Sequence, residues 1–184
     1  MLDYRSPISF FIEDGKGVPG YVASDRELAR WALDAWARES GGKLKFVETT
    51  DPETALVRVH WASDREGLFG ETQHIRVGNK IGAIVNVMPD VVNLGEPLAG
   101  RAQRERLLRD TVVYLTCVHE LGHAIGLGHT RQFEDIMYYF GYGGDFVAYF
   151  MRYRTKLKSR DDIPRFSGLS PADIAVLKRI LGGN

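Results

Sequence analysis

The chain has 184 residues, 44% of them hydrophobic and 26% charged, with 24 basic and 24 acidic side chains that cancel. That is long enough to bury a core, and too mixed in character for a disordered or membrane-spanning chain; the neutral balance gives no reason to expect nucleic acid or an anionic membrane as partner. No stretch reaches the roughly 18 apolar residues that cross a bilayer, and the lone Cys117 excludes an internal disulfide.

Residues 1–20 lack the basic start and apolar run of a leader peptide. Residues 6–13, rich in β-branched and aromatic side chains and closed by Asp14-Gly15, predict a first strand. Ser24 and Glu27 have the spacing of a capping box, and Leu28, Trp31, Ala32, Ala35 and Trp36 then recur at helical intervals until Gly41-Gly42. Residues 44–48 and 55–61 read as two more strands. Strand, helix, strand, strand predicts a twisted, largely parallel sheet covered by helices. Residues 67–80 are polar and glycine-bearing, with a short strand predicted at 72–77; residues 81–88 read as another strand, and 89–100 as loop.

From Arg101 a helical pattern runs to Gly126, with Tyr114, Val118, Leu121 and Ile125 in one apolar stripe. After Thr130 eight aromatic residues crowd into positions 138–153, and Asp145 can cap a helix carrying Phe146, Phe150, Tyr153 and Leu157. The crowd reads as the core of a small lobe, with a functional lid as the alternative. Arg152, Arg154, Lys156, Lys158 and Arg160 alternate too regularly to share a helical face and read as solvated. Ser170-Pro171-Ala172-Asp173 opens a terminal helix that ends at Gly182.

The stretch that carries chemistry is His119-Glu120-Leu121-Gly122-His123, followed by Gly126 and His129. One helical turn separates His119 from His123, so both imidazoles leave the same face and can reach one metal ion. Continuing the helix would carry His129 about 9 Å along the axis and to nearly the opposite side. A left-handed glycine at 126 ends the helix and returns the chain, which makes His129 available as a third ligand. Three histidines leave one position of a tetrahedral zinc open for water, the arrangement of a catalytic site, and the adjacent Glu120 is placed to take that water's proton.

This stretch resembles the metzincin metallopeptidases, and among them the matrixins, the matrix-metalloproteinase type. Matched position by position, His119, His123 and His129 stand at the family's zinc ligands, Glu120 at its general base and Gly126 at its turn glycine. Thr130 fills a place that matrixins give to a small hydroxyl residue. Asp135-Ile136-Met137-Tyr138 resembles the Met-turn, which implies Met137 as a hydrophobic floor under the metal; residues 169–181 resemble the matrixin terminal helix, with Asp173 at its acidic position. Tyr139 stands where astacins and serralysins carry a tyrosine that steadies the transition state, while Tyr138 and Tyr142 lie nearer matrixin positions.

The resemblance implies an α+β, metzincin-like catalytic domain over residues 1–184, with a mixed twisted sheet and two long helices in an upper subdomain, 1–129. A small lower subdomain, 130–184, would hold the terminal helix, with the active-site cleft between the two. It implies a zinc-dependent endopeptidase of extended peptides, monomeric, with one catalytic zinc; a secreted protein is implied by the family. A second, structural zinc is not expected, because only His60 and His74 stand where matrixins have further ligands, and neither calcium nor a mode of latency is indicated. Thr72, His74 and Arg76 are the candidate edge strand for substrate. A zinc-bearing binding module without turnover, or a structural zinc, are the alternatives.

Overall fold

The structure, a computed structural model, describes residues 1–63 and 69–182. Five strands form one sheet in the order β2-β1-β3-β5-β4: β1 is Ile8–Ile12, β2 Phe46–Glu48, β3 Val57–Trp61, β4 Gly70–Val77 and β5 Lys80–Val87. Neighbouring pairs are parallel except β4 with β5, a hairpin in register from Gly70 opposite Val87 to Val77 opposite Lys80. The sheet is therefore the mixed one expected, with the antiparallel strand at an edge. The predicted short strand at 72–77 extends back to Gly70; Gly67, where the polar stretch begins, lies outside the described residues.

Alternation decides which face is covered. Ile8, Phe10, Ile12, Val57, Val59, Trp61, Ala83, Val85 and Val87 are buried, while their neighbours along each strand, Gly82 apart, are only partly covered. Two long helices pack on this face, α1 (Asp25–Glu39) and α3 (Arg106–Ile125), and the Trp36 indole crosses between them to donate to the Val118 carbonyl at 2.9 Å. The apolar stripe of α3 is buried as predicted. So is most of its remaining circumference, which makes it the central rod of the molecule.

Three expectations fail for identifiable reasons. Ser24 precedes α1, but its hydroxyl accepts from Arg106 and Glu27 pairs with Arg160, so no capping box forms there. The long helix from Arg101 is two: α2 (Leu98–Arg104) begins inside the predicted loop, and extended backbone at Glu105 separates it from α3. Three of the five basic residues are committed. Arg152 lies over the Tyr149 ring and donates to the Phe133 carbonyl, Arg154 bonds Glu105 at 2.5 Å, and Arg160 holds Asp110 at 3.2 Å and Glu27 at 2.6 Å.

Beyond α3, helix α4 (Phe146–Arg154) starts at Asp145, whose carboxylate accepts from the Ala148 N–H at 3.0 Å. Helix α5 (Pro171–Ile180) carries the predicted capping box of Ser170 and Asp173. The aromatic crowd divides: Tyr149, Phe150 and Tyr153 are core, while Phe140 and Phe146 are only partly covered. No helix among the described residues is long and apolar enough to cross a membrane.

Candidate metal centre and cleft

Helix α3 ends at Gly126, which has φ +119°, a backbone conformation that a side chain would strain. The N–H of Leu127 reaches back to the Gly122 carbonyl at 2.9 Å, closing the helix and reversing the chain. His129 then returns to the end of the helix. Its Nε2 stands 3.3 Å from His119 Nε2 and 3.0 Å from His123 Nε2.

The Nε2 atoms of His119 and His123 carry no proton. The Nδ1–H of His119 donates to the Ile136 carbonyl at 2.7 Å and that of His123 to the Leu127 carbonyl at 2.9 Å, which leaves both Nε2 lone pairs pointing inward. Nitrogens about 2.0–2.1 Å from a tetrahedral zinc stand roughly 3.3 Å apart, so the cluster has the size and donor set for that ion. Burial holds His119 well below its ordinary range, to about 4, against the pull of the Ile136 carbonyl, and the neighbouring histidines lower it further. Burial likewise lowers His123 and His129. Neutral imidazoles are the form that binds a metal.

The turn that receives the His119 proton is itself clamped from three sides. Thr130 and Tyr138 form a β-bridge, and the Thr130 N–H donates to the Met137 carbonyl at 2.9 Å. From α5, the Asp173 carboxylate accepts from the Ile136 N–H at 2.8 Å, and Ser170 donates to Asp135 at 2.6 Å. From α4, the Tyr149 hydroxyl donates to the carbonyls of Asp135 and Ile136 at 3.1 and 3.2 Å. Met137 is fully buried beneath α3; a methyl group placed on Gly122 would come within 2.5 Å of its sulfur.

Glu120 points toward β4. Its carboxylate and its own backbone carbonyl both lie 2.8 Å from the Thr72 hydroxyl. Burial pushes this carboxyl up to about 7; the Thr72 hydrogen bond works the other way, and the charge of Glu71 adds to the rise. A carboxyl so perturbed next to a metal-sized histidine cluster has the character of a proton-transfer group.

Of the three tyrosines, Tyr139 is the one that reaches the histidines, its ring stacked on His129 with centroids 4.8 Å apart. Tyr138 is buried and donates to the Gly143 carbonyl; Tyr142 is exposed beneath the Arg131 guanidinium. In β4, Thr72 and His74 turn toward α3, His74 donating to the Ala124 carbonyl at 3.2 Å, and Arg76 is exposed. His60 pairs with Glu13 on the far side of the sheet. Cys117 is buried in the core, where burial pushes its thiol up.

A cleft of about 880 Å³ runs over the histidines and Glu120, bounded by β4 on one side and by the 138–150 aromatic segment on the other. The sequence alone did not point to Phe69 and Gly70, where β4 enters the cleft, nor to Leu115 and Thr116. The last two were readable in principle, since they precede His119 by one helical turn and share its face. The matrixin family profile matches residues 20–162. The protein belongs to the matrixin family. As a matrixin it is a zinc metallopeptidase in general character. No curated protein matches the sequence. Its fold is similar to that of archaemetzincin from Methanopyrus kandleri, with a TM-score of 0.51 at 15% identity over 99% of both chains.

Proposed function

We propose that the protein is a zinc-dependent endopeptidase working as one catalytic unit, with residues 1–129 above the cleft and 130–184 below it. His119, His123 and His129 would hold the ion, and Met137 would form the apolar floor of a Met-turn. Zinc bound there supplies a Lewis acid that polarises the scissile carbonyl and lowers the pKa of water. Glu120 accepts a proton from the attacking water at its carboxylate and returns it to the leaving amine, so no covalent intermediate forms. Tyr139, close to His129, is the tyrosine best placed to face the reacting carbonyl.

The supporting observation is the company Glu120 keeps: a buried carboxyl adjoining three converging imidazole nitrogens, at the edge of a sheet. An extended peptide would add antiparallel to β4, its main chain bonding the open edge. Thr72 and His74 are occupied on the α3 side, so it is the backbone of β4, more than those side chains, that would read the substrate. The part of the cleft lined by Leu115, Phe140, Phe146 and Phe150 would take the side chain following the scissile bond, selecting large apolar residues.

The test is digestion of a proteome-derived peptide library by zinc-loaded protein, with the products sequenced. Cleavage before large apolar residues is expected, and Glu120→Ala should lower kcat by about 10² or more while zinc content stays at one per chain. A Glu120→Ala variant as active as the wild type removes the assignment of the base. Stable binding of a peptide without cleavage would mark a binding module instead.

A further inference from the structure

We propose that Thr72, a side chain of the edge strand, is a positioning residue for Glu120, and that Gly70 makes room for the arrangement. The inference rests on the peptidase reading above. It concerns how the carboxylate is aimed, which the sequence motif around Glu120 leaves open.

The Thr72 hydroxyl lies 2.8 Å from Glu120 Oε2 and 2.8 Å from the Glu120 backbone carbonyl oxygen. One hydroxyl thus touches both the root and the tip of the same side chain. A glutamate has three side-chain torsions between those two points, and contact at both ends restricts them together. With Oε2 engaged by Thr72, Oε1 is the oxygen left for the attacking water: the water O–H breaks, the proton moves to Oε1, and it later passes to the leaving nitrogen. Oε2 keeps the Thr72 hydroxyl within hydrogen-bonding distance throughout, so the carboxyl need not turn between the two transfers.

Gly70 is the second half of the device. A methyl group on its Cα would lie 2.6 Å from Glu120 Cγ and 2.8 Å from Oε1, closer than atoms approach. Residues 70 and 72 share one face of β4, the face toward α3. The strand therefore leaves a gap at one position and offers a hydroxyl at the next on that face, and the carboxylate occupies the space between. Because β4 is also the edge of the sheet among the described residues, the strand that would seat a peptide is the strand that aims the base.

Thr72→Val keeps the shape and removes the hydroxyl; Thr72→Ser keeps the hydroxyl; Thr72→Ala repeats the loss in case the valine packs badly, and Gly70→Ala fills the gap. Each is compared, zinc-loaded, with wild type and Glu120→Ala for zinc content, kcat and KM on one peptide, affinity for a phosphinic peptide that mimics the tetrahedral state, and the crystallographic position of the Glu120 carboxylate. Because misplacing a reacting group by about 1 Å costs roughly 10²-fold, Thr72→Val and Gly70→Ala should lose about 10- to 100-fold in kcat with KM and zinc content unchanged. Phosphinic-peptide affinity should fall alongside, the carboxylate should move, and Thr72→Ser should recover wild-type behaviour within about twofold of kcat by the same argument. An unmoved carboxylate in Thr72→Val and Thr72→Ala, or a serine variant as impaired as the valine, rejects the positioning role. A wild type that binds the phosphinic peptide but cleaves nothing rejects the peptidase reading instead, and the Glu120 position in the Thr72→Val crystal then decides the inference by itself.

Discussion

Glu120 and His119 are adjacent, and burial moves their proton equilibria in opposite directions. In the metal-free protein the carboxyl rises from 4.5 to about 7, so its contribution to stability is full below 4.5 and is lost as pH climbs to 7. The imidazole falls from 6.5 to about 4, so its contribution is full above 6.5 and is lost as pH drops to 4. The two slopes oppose each other through most of the same window. His123 and His129, also lowered by burial, slope with His119, so the urea midpoint of metal-free Glu120→Gln should climb more steeply than that of wild type between about pH 4.5 and 6.5. Parallel profiles for the two proteins in EDTA would refute this. The histidine spacing and the turn at Gly126 were legible in the sequence because each is fixed within a few residues. The Thr72 contact was not, because it joins positions 48 apart and depends on the register of β4 against α3.

Between elements, the firmest polar joint is at the N-terminal end of α1. Arg109 of α3 donates to both oxygens of Asp25, to the Gly20 carbonyl at 2.7 Å and to the Pro89 carbonyl at 3.2 Å, with Asp25 fully buried. Removing Arg109 strands Asp25 as a buried charge, so Arg109→Ala should destabilise by about 3–5 kcal/mol, and Asp25→Ala should cost less because Arg109 keeps Asp110 at 3.3 Å. The joint replacement Asp25→Leu with Arg109→Met should recover much of that loss, and urea unfolding of the three variants decides it. Tyr149→Phe, which deletes the donor to the turn under His119, should cost about 1–3 kcal/mol and weaken zinc affinity, measured by chelator competition. Here the sequence misled in an instructive way. Ser24 and Glu27 had the right spacing for a local cap, but Arg106 and Arg160, arriving from distant segments, took both side chains. A spacing rule sees the nearest backbone donor and not the arginine that outcompetes it.

For the molecule as a whole, the site rests on a large apolar core. Trp36, Tyr114, Leu121 and Ile136 are fully buried and belong to one continuous cluster beneath sheet and cleft. Metal-free protein should retain its far-UV spectrum and unfold cooperatively, and zinc at 100 times its Kd should add about 2.7 kcal/mol to unfolding. Loss of helical signal on adding EDTA at 25 °C would contradict this. The order of strands and helices was legible because period-two and helical patterns are strong here. The split of the 101–126 pattern at Glu105 was not, since no glycine or proline marks it and Arg154 and the extended backbone make the break.

Strand β4 has a cost that belongs to the protein in solution more than to its chemistry. Every second residue of the eight-residue β4 turns its main-chain N–H and C=O away from β5, and such an edge pairs with any extended chain it meets, another copy included. A closed sheet would be safer but could not receive a peptide. Concentrated protein is thus expected to associate through this edge, reversibly, and sedimentation velocity should show the larger species shrinking when a slowly cleaved peptide is added. Solubility and substrate capture would then compete for the same row of backbone groups.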